Sequence, residues 1–315
     1  MRKLLLMNNL QSYRDALVKA AKGFEVIITA DKEEIKKHYL DSEVLAGFSP
    51  VRDGFLNNTN LKWVQFWGAG VDKFPIAEMK EKGIILTNTS GVHANQISES
   101  IFAFMLAYSR GFYKFLPNQR NKVWESNNGL LGEIHGKTLG ILGVGAIGAE
   151  TAKIAKAFGM NVLGLRRSGG EAPYTDKCYK TNEVISLLKD SDYVVNILPL
   201  TPETEGFMDK AKFEAMKKTA VYISVGRGKT TNQQDLINAL KSGQIAFAGL
   251  DVTEPEPLPP TDPLWSLENV IITCHSAGGS DKYDERAMDI FLENVEAYVK
   301  TGAPVRNVVN LDLYY

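Results

Sequence analysis

Three side chains with complementary chemistry stand in short segments late in the chain. Arg227 lies in Ser-Val-Gly-Arg-Gly, Glu256 in Leu-Asp-Val-Thr-Glu-Pro-Glu-Pro-Leu, and His275 in Thr-Cys-His-Ser-Ala-Gly. A guanidinium grips a carboxylate through two parallel hydrogen bonds and can polarise the carbonyl beside it. An imidazole, with an ordinary pKa of about 6.5, can give a proton to that oxygen as hydride reaches the carbon. A carboxylate next to the imidazole favours its charged form and fixes its tautomer. As a set, the three suit reduction of a 2-oxo acid. Singly, each has a plainer reading: Arg227 as a structural ion pair, Glu256 as a solvated loop acid, His275 as a surface histidine.

The elements that must position them are strands. Apolar runs at Ala220–Ser224, Ala246–Leu250 and Val270–Thr273 precede the three residues. Ligands of an open parallel sheet sit beyond the carboxyl ends of its strands, so all three are expected at one sheet edge. His38, His93 and His135 lack this strand-end setting.

The stretch from Lys137 to Ser168 organises this half of the chain. Leu139–Leu142 reads as a buried strand, and Gly143, Gly145 and Gly148 form G-x-G-x-x-G. A helix follows, with Ile147, Thr151, Ile154, Ala155 and Phe158 near one face, and then a second strand at Val162–Leu165. Strand, glycine turn, helix and strand is the context of a dinucleotide fingerprint. The helix start, with Ala146 and Ile147 in its first turn, would offer N–H groups and the positive dipole end to a pyrophosphate. NAD-binding units usually carry an acid at the end of the second strand, to hold the ribose hydroxyls. Here that position is Arg166, followed by Arg167 and Ser168, with no carboxylate until Glu171. A guanidinium fork and a hydroxyl suit a 2′-phosphate, which favours NADP(H) over NAD(H); a solvated basic turn is the plainer alternative.

The 315 residues suffice for two domains, and a net charge of −1 gives no support to nucleic-acid binding. Lys36-Lys37 and Lys217-Lys218 read as solvated helix faces. Cys178 and Cys274 suggest neither a disulfide framework nor a metal site and fit a reducing cytoplasm. The N-terminal apolar run is ended by Asn8-Asn9, so it reads as a strand, and no run is long enough to span a membrane.

The first hundred residues alternate strand and helix patterns, predicting a small α/β domain with a mostly parallel sheet. Strands are expected at Leu4–Met7, Val26–Thr29, Val44–Phe48, Trp63–Phe66 and Ile84–Thr87, with Asp31 capping a helix. Gly68-Ala69-Gly70-Val71-Asp72 follows a strand and could offer bare N–H groups to a carboxylate, or could be only a tight turn. A helical pattern over Asn95–Tyr113 reads as a connector leaving this domain. Later helices are expected at Glu183–Lys189, at Lys212–Lys218, from a capping box at Thr231 and Gln234 to Leu240, and at Met288–Val299. Tyr193–Leu198 reads as a strand, and the tail at Val308–Leu311 could return to the first domain. Trp67, Phe66, His93 and Trp124 are candidates to line a substrate pocket.

With these segments in view, the chain resembles the D-isomer-specific 2-hydroxyacid dehydrogenase family over nearly its whole length. The resemblance rests on Gly143–Gly148, the Leu-Pro-Leu-Thr-x-x-Thr loop at Leu198–Thr204, Arg227-Gly228, Leu250–Pro257 and His275–Gly278. It implies two Rossmann-like, doubly wound parallel-sheet α/β domains. A flavodoxin-like substrate domain (1–99 and 283–315) would accept the cofactor domain (100–282) as an insertion, with the active site in the cleft. It implies Arg227 as substrate binder, His275 as acid/base and Glu256 as its partner. Cofactor contacts are expected at Leu198, Pro199, Thr204, Val225 and Asp251 as well as at the fingerprint. Gly68, Ala69 and Gly70 are expected at the substrate carboxylate, and no metal is expected. The resemblance further implies a cytoplasmic homodimer acting on a small 2-oxo or 2-hydroxy acid. Two features depart from the family pattern: Cys274 stands where Pro commonly precedes the histidine, and Ser224 where Asn often opens the Arg-Gly segment. The family also resembles dinucleotide-sensing corepressors, an alternative against which the complete Arg, Glu and His set argues.

Overall fold

A computed structural model describes residues 2–48, 54–71, 73–126 and 131–312. The chain divides into two compact units, Met1–Val92 with Ser280–Tyr315, and His93–Gly279 between them in sequence.

In the first unit, β1 (Arg2–Leu6), α1 (Arg14–Ala20), β2 (Phe24–Ile28), α2 (Lys32–Tyr39), β3 (Val44–Phe48), β4 (Trp63–Phe66), α3 (Ile76–Glu81) and β5 (Ile85–Thr87) follow one another. The sheet order is β2-β1-β3-β4-β5, with every pairing parallel. β1 is an interior strand of this sheet, and its Leu4, Leu5 and Leu6 are buried, as a strand covered on both faces requires. Asp31 caps α2 by accepting from the Glu33 and Glu34 N–H groups. Lys36 and Lys37 pair with Glu33 and Glu34 on the exposed face of α2. Asp72 lies outside the described residues.

The second unit opens on α4 (Ala94–Ser109) and α5 (Phe112–Arg120), then runs β6 (Thr138–Leu142), α6 (Ala146–Ala157), β7 (Asn161–Leu165), β8 (Lys177–Tyr179), α7 (Val184–Asp190), β9 (Tyr193–Asn196), α8 (Lys210–Ala215), β10 (Val221–Ser224), α9 (Gln233–Lys241), β11 (Phe247–Leu250) and β12 (Val270–Ile272). Its seven strands are parallel in the order β12-β11-β10-β9-β6-β7-β8. The order reverses between β6 and β9, the switch point where such sheets take ligands. α10 (Tyr283–Thr301) returns the chain to the first unit, whose core receives its Met288, Phe291, Val295 and Tyr298. The tail follows as expected: Val309 N–H donates to the Leu86 carbonyl at 2.9 Å.

Several expectations need correction. The Asn95–Tyr113 pattern is two helices, parted by Gly111 in the left-handed region. α4 is no bare connector: Ile97, Ile101, Phe102, Phe104 and Met105 sit in the core of the second unit. A side chain on Gly249 of β11 would strike the Phe104 ring, so strand and helix touch directly there. α8 ends at Ala215, and Lys217 lies beyond it, bound to Asp192 at 2.8 Å rather than on a solvated helix face. The cap of α9 is Asn232, which accepts from Asp235 N–H, not Thr231, whose hydroxyl is buried against Tyr222. The Tyr193–Leu198 strand stops at Asn196, whose side chain accepts from Leu198 N–H and so turns the chain out of the sheet.

Candidate active site

The fingerprint glycines divide by what demands them. Gly143 has φ +102°, which a side chain would strain, and a Cβ on Gly148 would lie 2.6 Å from the Gly143 carbonyl oxygen. The protein's own packing requires both. Gly145 is different: a Cβ there would meet no protein atom within 4 Å. It is the N-cap of α6, with no side chain capping the first turn, and Ala146 and Ile147 open that turn. The residue that no internal contact explains is the one a pyrophosphate needs bare, so the segment fits a dinucleotide.

Beyond β7, Arg166 donates to the Glu171 carbonyl at 2.8 Å and Ser168 to the Gly169 carbonyl at 3.2 Å, closing a tight turn. The charge of Arg167 helps hold the Glu203 carboxyl below its ordinary pKa, after the larger effect of the Thr201 hydroxyl. Thr204 fastens the loop after β9, donating to the Pro199 carbonyl at 2.6 Å and accepting from Thr201 N–H at 2.7 Å. Leu198 is half-buried, whereas Val225 is buried in the core beside β10, its N–H bonded to the Asn196 carbonyl.

The three residues singled out for chemistry follow β10, β11 and β12, which are neighbours in the sheet. Their loops are pressed together. Arg227 stands between two glycines that admit no side chain: a Cβ on Gly226 would fall 2.7 Å from the Leu198 carbonyl, and one on Gly228 1.9 Å from the Thr253 carbonyl. The Arg227 backbone is thereby seated between the loop after β9 and the loop that carries Glu256. The guanidinium donates to the Gly226 carbonyl at 3.0 Å and is partly exposed.

His275 Nδ1 meets Glu256 Oε2 at 2.8 Å, and the other Glu256 oxygen accepts from Thr253 N–H at 3.2 Å. The contact makes Nδ1 the donor toward the carboxylate and leaves Nε2 as the edge able to exchange a proton. His275 has φ +52°, unusual for a residue with a side chain. Asp251 holds it there. Its backbone carbonyl accepts from His275 N–H at 2.8 Å, and its carboxylate accepts from the Thr273 hydroxyl, Ser276 N–H and Ala277 N–H at 2.5, 2.8 and 3.0 Å. Asp251 is buried, with both carboxylate oxygens committed to this loop. A residue expected at the cofactor is thus also the clasp of the histidine loop.

His93 joins this neighbourhood, a role that its sequence position at a helix start left open. Its ring packs on the histidine loop, with Cδ2 3.0 Å from where a Cβ on Gly278 would stand. Burial, and secondly the positive charge of Arg227, push its pKa down to about 4, so the imidazole is neutral at physiological pH. Two of the other pocket candidates have contacts of their own. Trp67 donates to Asp284 and packs on Phe291, and Phe66 packs on Phe74, all within the first unit. Trp124 is fully exposed. The Gly68 position is explained by its own neighbour, since a Cβ there would fall 2.5 Å from the Phe66 ring. Among the described residues no cluster of His, Cys, Asp and Glu is arranged to hold a metal, and no helix is long and apolar enough to cross a membrane.

Residues 102–277 match the family described as D-isomer specific 2-hydroxyacid dehydrogenase, NAD binding domain. A glyoxylate reductase of Korarchaeum cryptofilum is 36% identical over 80% of this chain and 77% of its own. A D-3-phosphoglycerate dehydrogenase of Methanocaldococcus jannaschii is 31% identical over 98% of this chain, which spans 59% of that protein. Among solved structures, a D-isomer specific 2-hydroxyacid dehydrogenase from Xanthobacter autotrophicus in complex with NADPH and MES has a TM-score of 0.84 at 29% identity, covering 100% of this chain and 99% of its own. With the glycine turn and the Arg227, Glu256 and His275 loops in place, the chain belongs to the D-isomer specific 2-hydroxyacid dehydrogenase family of nicotinamide-dinucleotide oxidoreductases.

Proposed function

We propose that the protein reduces a small 2-oxo acid, with glyoxylate and hydroxypyruvate foremost, to the D-2-hydroxy acid using NADPH. The observation that carries this reading is the 2.8 Å His275–Glu256 contact, on a loop beside the one that seats Arg227. The dinucleotide, when bound, supplies the hydride. Arg227 holds the substrate carboxylate in a forked grip and turns the neighbouring carbonyl toward the histidine. His275 gives its Nε2 proton to the carbonyl oxygen as negative charge develops there. Glu256 stabilises the imidazolium before transfer and keeps Nδ1 protonated throughout. Asp251 keeps the loop in register. Gly68, Ala69 and Gly70 give backbone N–H groups to the same carboxylate.

The basic turn at Arg166, Arg167 and Ser168, with no acid at the strand end, supports NADPH over NADH, as do relatives bound to NADPH or NADP. Phe112, Leu116, Val123 and Leu131 leave large apolar side chains in solvent around α5, which supports a homodimer formed through the second unit. The two free cysteines support a cytoplasmic enzyme. The test is oxidation of NADPH and of NADH by the purified protein with glyoxylate, hydroxypyruvate, pyruvate and branched 2-oxo acids. Turnover with small 2-oxo acids and NADPH is expected. Tight dinucleotide binding with no turnover across the panel would instead indicate a sensor.

A further inference from the structure

The carboxyl ends of β7 and β8 set a third cation beside the basic turn. The strands pair in parallel with Leu165 opposite Tyr179, and Arg166 N–H donates to the Tyr179 carbonyl at 3.0 Å. The next residue on each strand is a cation, Arg166 on one and Lys180 on the other. Lys180 does not extend away from the turn. Its aliphatic stem lies across Gly169, where a Cβ would fall 2.8 Å from Cγ, 3.1 Å from Cε and 3.6 Å from Cδ. Gly169 has φ +66°, so it both bends the chain after Ser168 and makes the room that the stem occupies. The turn is fastened by Gly169 N–H to the Arg166 carbonyl at 3.1 Å and by Arg166 to the Glu171 carbonyl. Of the nearby acids, Glu183 accepts from Lys180 N–H at 2.8 Å, and Glu203 accepts from the Thr201 hydroxyl at 2.8 Å.

We propose that Lys180 is a cofactor-specificity residue, the third cation, with Arg166 and Arg167, of a seat for the 2′-phosphate of NADP(H). The proposal rests on the NADPH reading above. A phosphate monoester carries close to two negative charges and three acceptor oxygens, more than one guanidinium fork satisfies. An ammonium adds a compact charge that needs no fixed approach direction. A stem already laid against Gly169 loses less rotamer freedom on binding than a freely solvated lysine would.

The experiment is calorimetric titration of the full-length protein with 2′,5′-ADP and with 5′-AMP, for wild type, Lys180→Met and Lys180→Arg. Methionine keeps a stem over Gly169 and removes the charge. Loss of one partly screened charge contact should weaken 2′,5′-ADP about tenfold in Lys180→Met, leave 5′-AMP within about twofold, and be largely restored in Lys180→Arg. A wild type that prefers 2′,5′-ADP, with Lys180→Met equal to it, would overturn the role of Lys180 and leave the NADPH reading standing. Equal weakening of both nucleotides would also overturn it, since the residue would then not read the 2′-phosphate. A wild type that binds the two nucleotides equally would overturn the NADPH reading itself.

Discussion

At the carboxyl edge of the five-stranded sheet, the loop carbonyls are spent on the loops themselves. The carbonyls of Trp67, Gly68 and Ala69 accept from Tyr283, from Thr89 N–H and from Asn88. Thr89 and Tyr283 join their hydroxyls at 3.0 Å. At the same edge of the seven-stranded sheet, the backbone is fastened in a way that leaves side-chain heads available. Gly226 and Gly228 clamp the chain around Arg227, and Asp251 clasps the loop while the His275–Glu256 pair stays about half in solvent. Two sheets built on the same parallel architecture thus differ in what their strand ends hold. Fold alone does not assign chemistry, and the residues after the strands do.

Substitutions should separate the two edges. The largest effect is expected for Arg227→Ala, which removes the carboxylate grip: kcat/KM for the 2-oxo acid should fall by about three orders of magnitude, with dinucleotide affinity little changed. Steady-state kinetics with an independent cofactor titration check this. Glu256→Gln should lower kcat roughly 10–100-fold, because an amide in place of the carboxylate no longer fixes the Nδ1–H tautomer of His275. In the first unit, Tyr283→Phe should act on stability instead. Losing a partly buried hydroxyl that bridges Thr89 and the Trp67 carbonyl should cost about 1–2 kcal/mol in urea unfolding, with kcat within a few-fold of wild type.

The smallest effect concerns His93. Its folded pKa of about 4 lies below the ordinary histidine value of 6.5. Between those values the unfolded chain binds the proton and the folded chain does not, so its contribution to stability is present above about pH 6.5 and is lost as pH falls toward 4. His93→Gln should flatten the acid side of a melting-temperature profile over that window. An unchanged slope would show that His93 is not held neutral.

The same contrast explains what was legible in the sequence. The glycine turn was, because Gly143 needs its positive φ, Gly148 closes on the Gly143 carbonyl five residues back, and Gly145 is where a pyrophosphate needs the chain bare. The strands were, because parallel strands covered on both faces are continuous apolar runs such as Leu139–Leu142 and Val221–Ser224. The packing of α4 into the core of the second unit was not, since helical periodicity shows that a face is buried but not against what. The break at Gly111 carried a signal, a glycine after Ser109-Arg110, that the surrounding apolar period masked. β8 escaped notice because Lys177–Tyr179 is too short to show alternation. The offset from Thr231 to Asn232 at α9 reflects two adjacent capping residues, between which only the burial of Thr231 against Tyr222 decides. The packing of His93 against Gly278 joins positions far apart in sequence and has no local signature.

The kcat/KM for glyoxylate reduction by NADPH, in wild type and His275→Gln, tests the proton-donor assignment most directly. His275→Gln should be at least about a thousandfold slower, with NADPH affinity little changed. A His275→Gln enzyme that keeps the wild-type rate would contradict it.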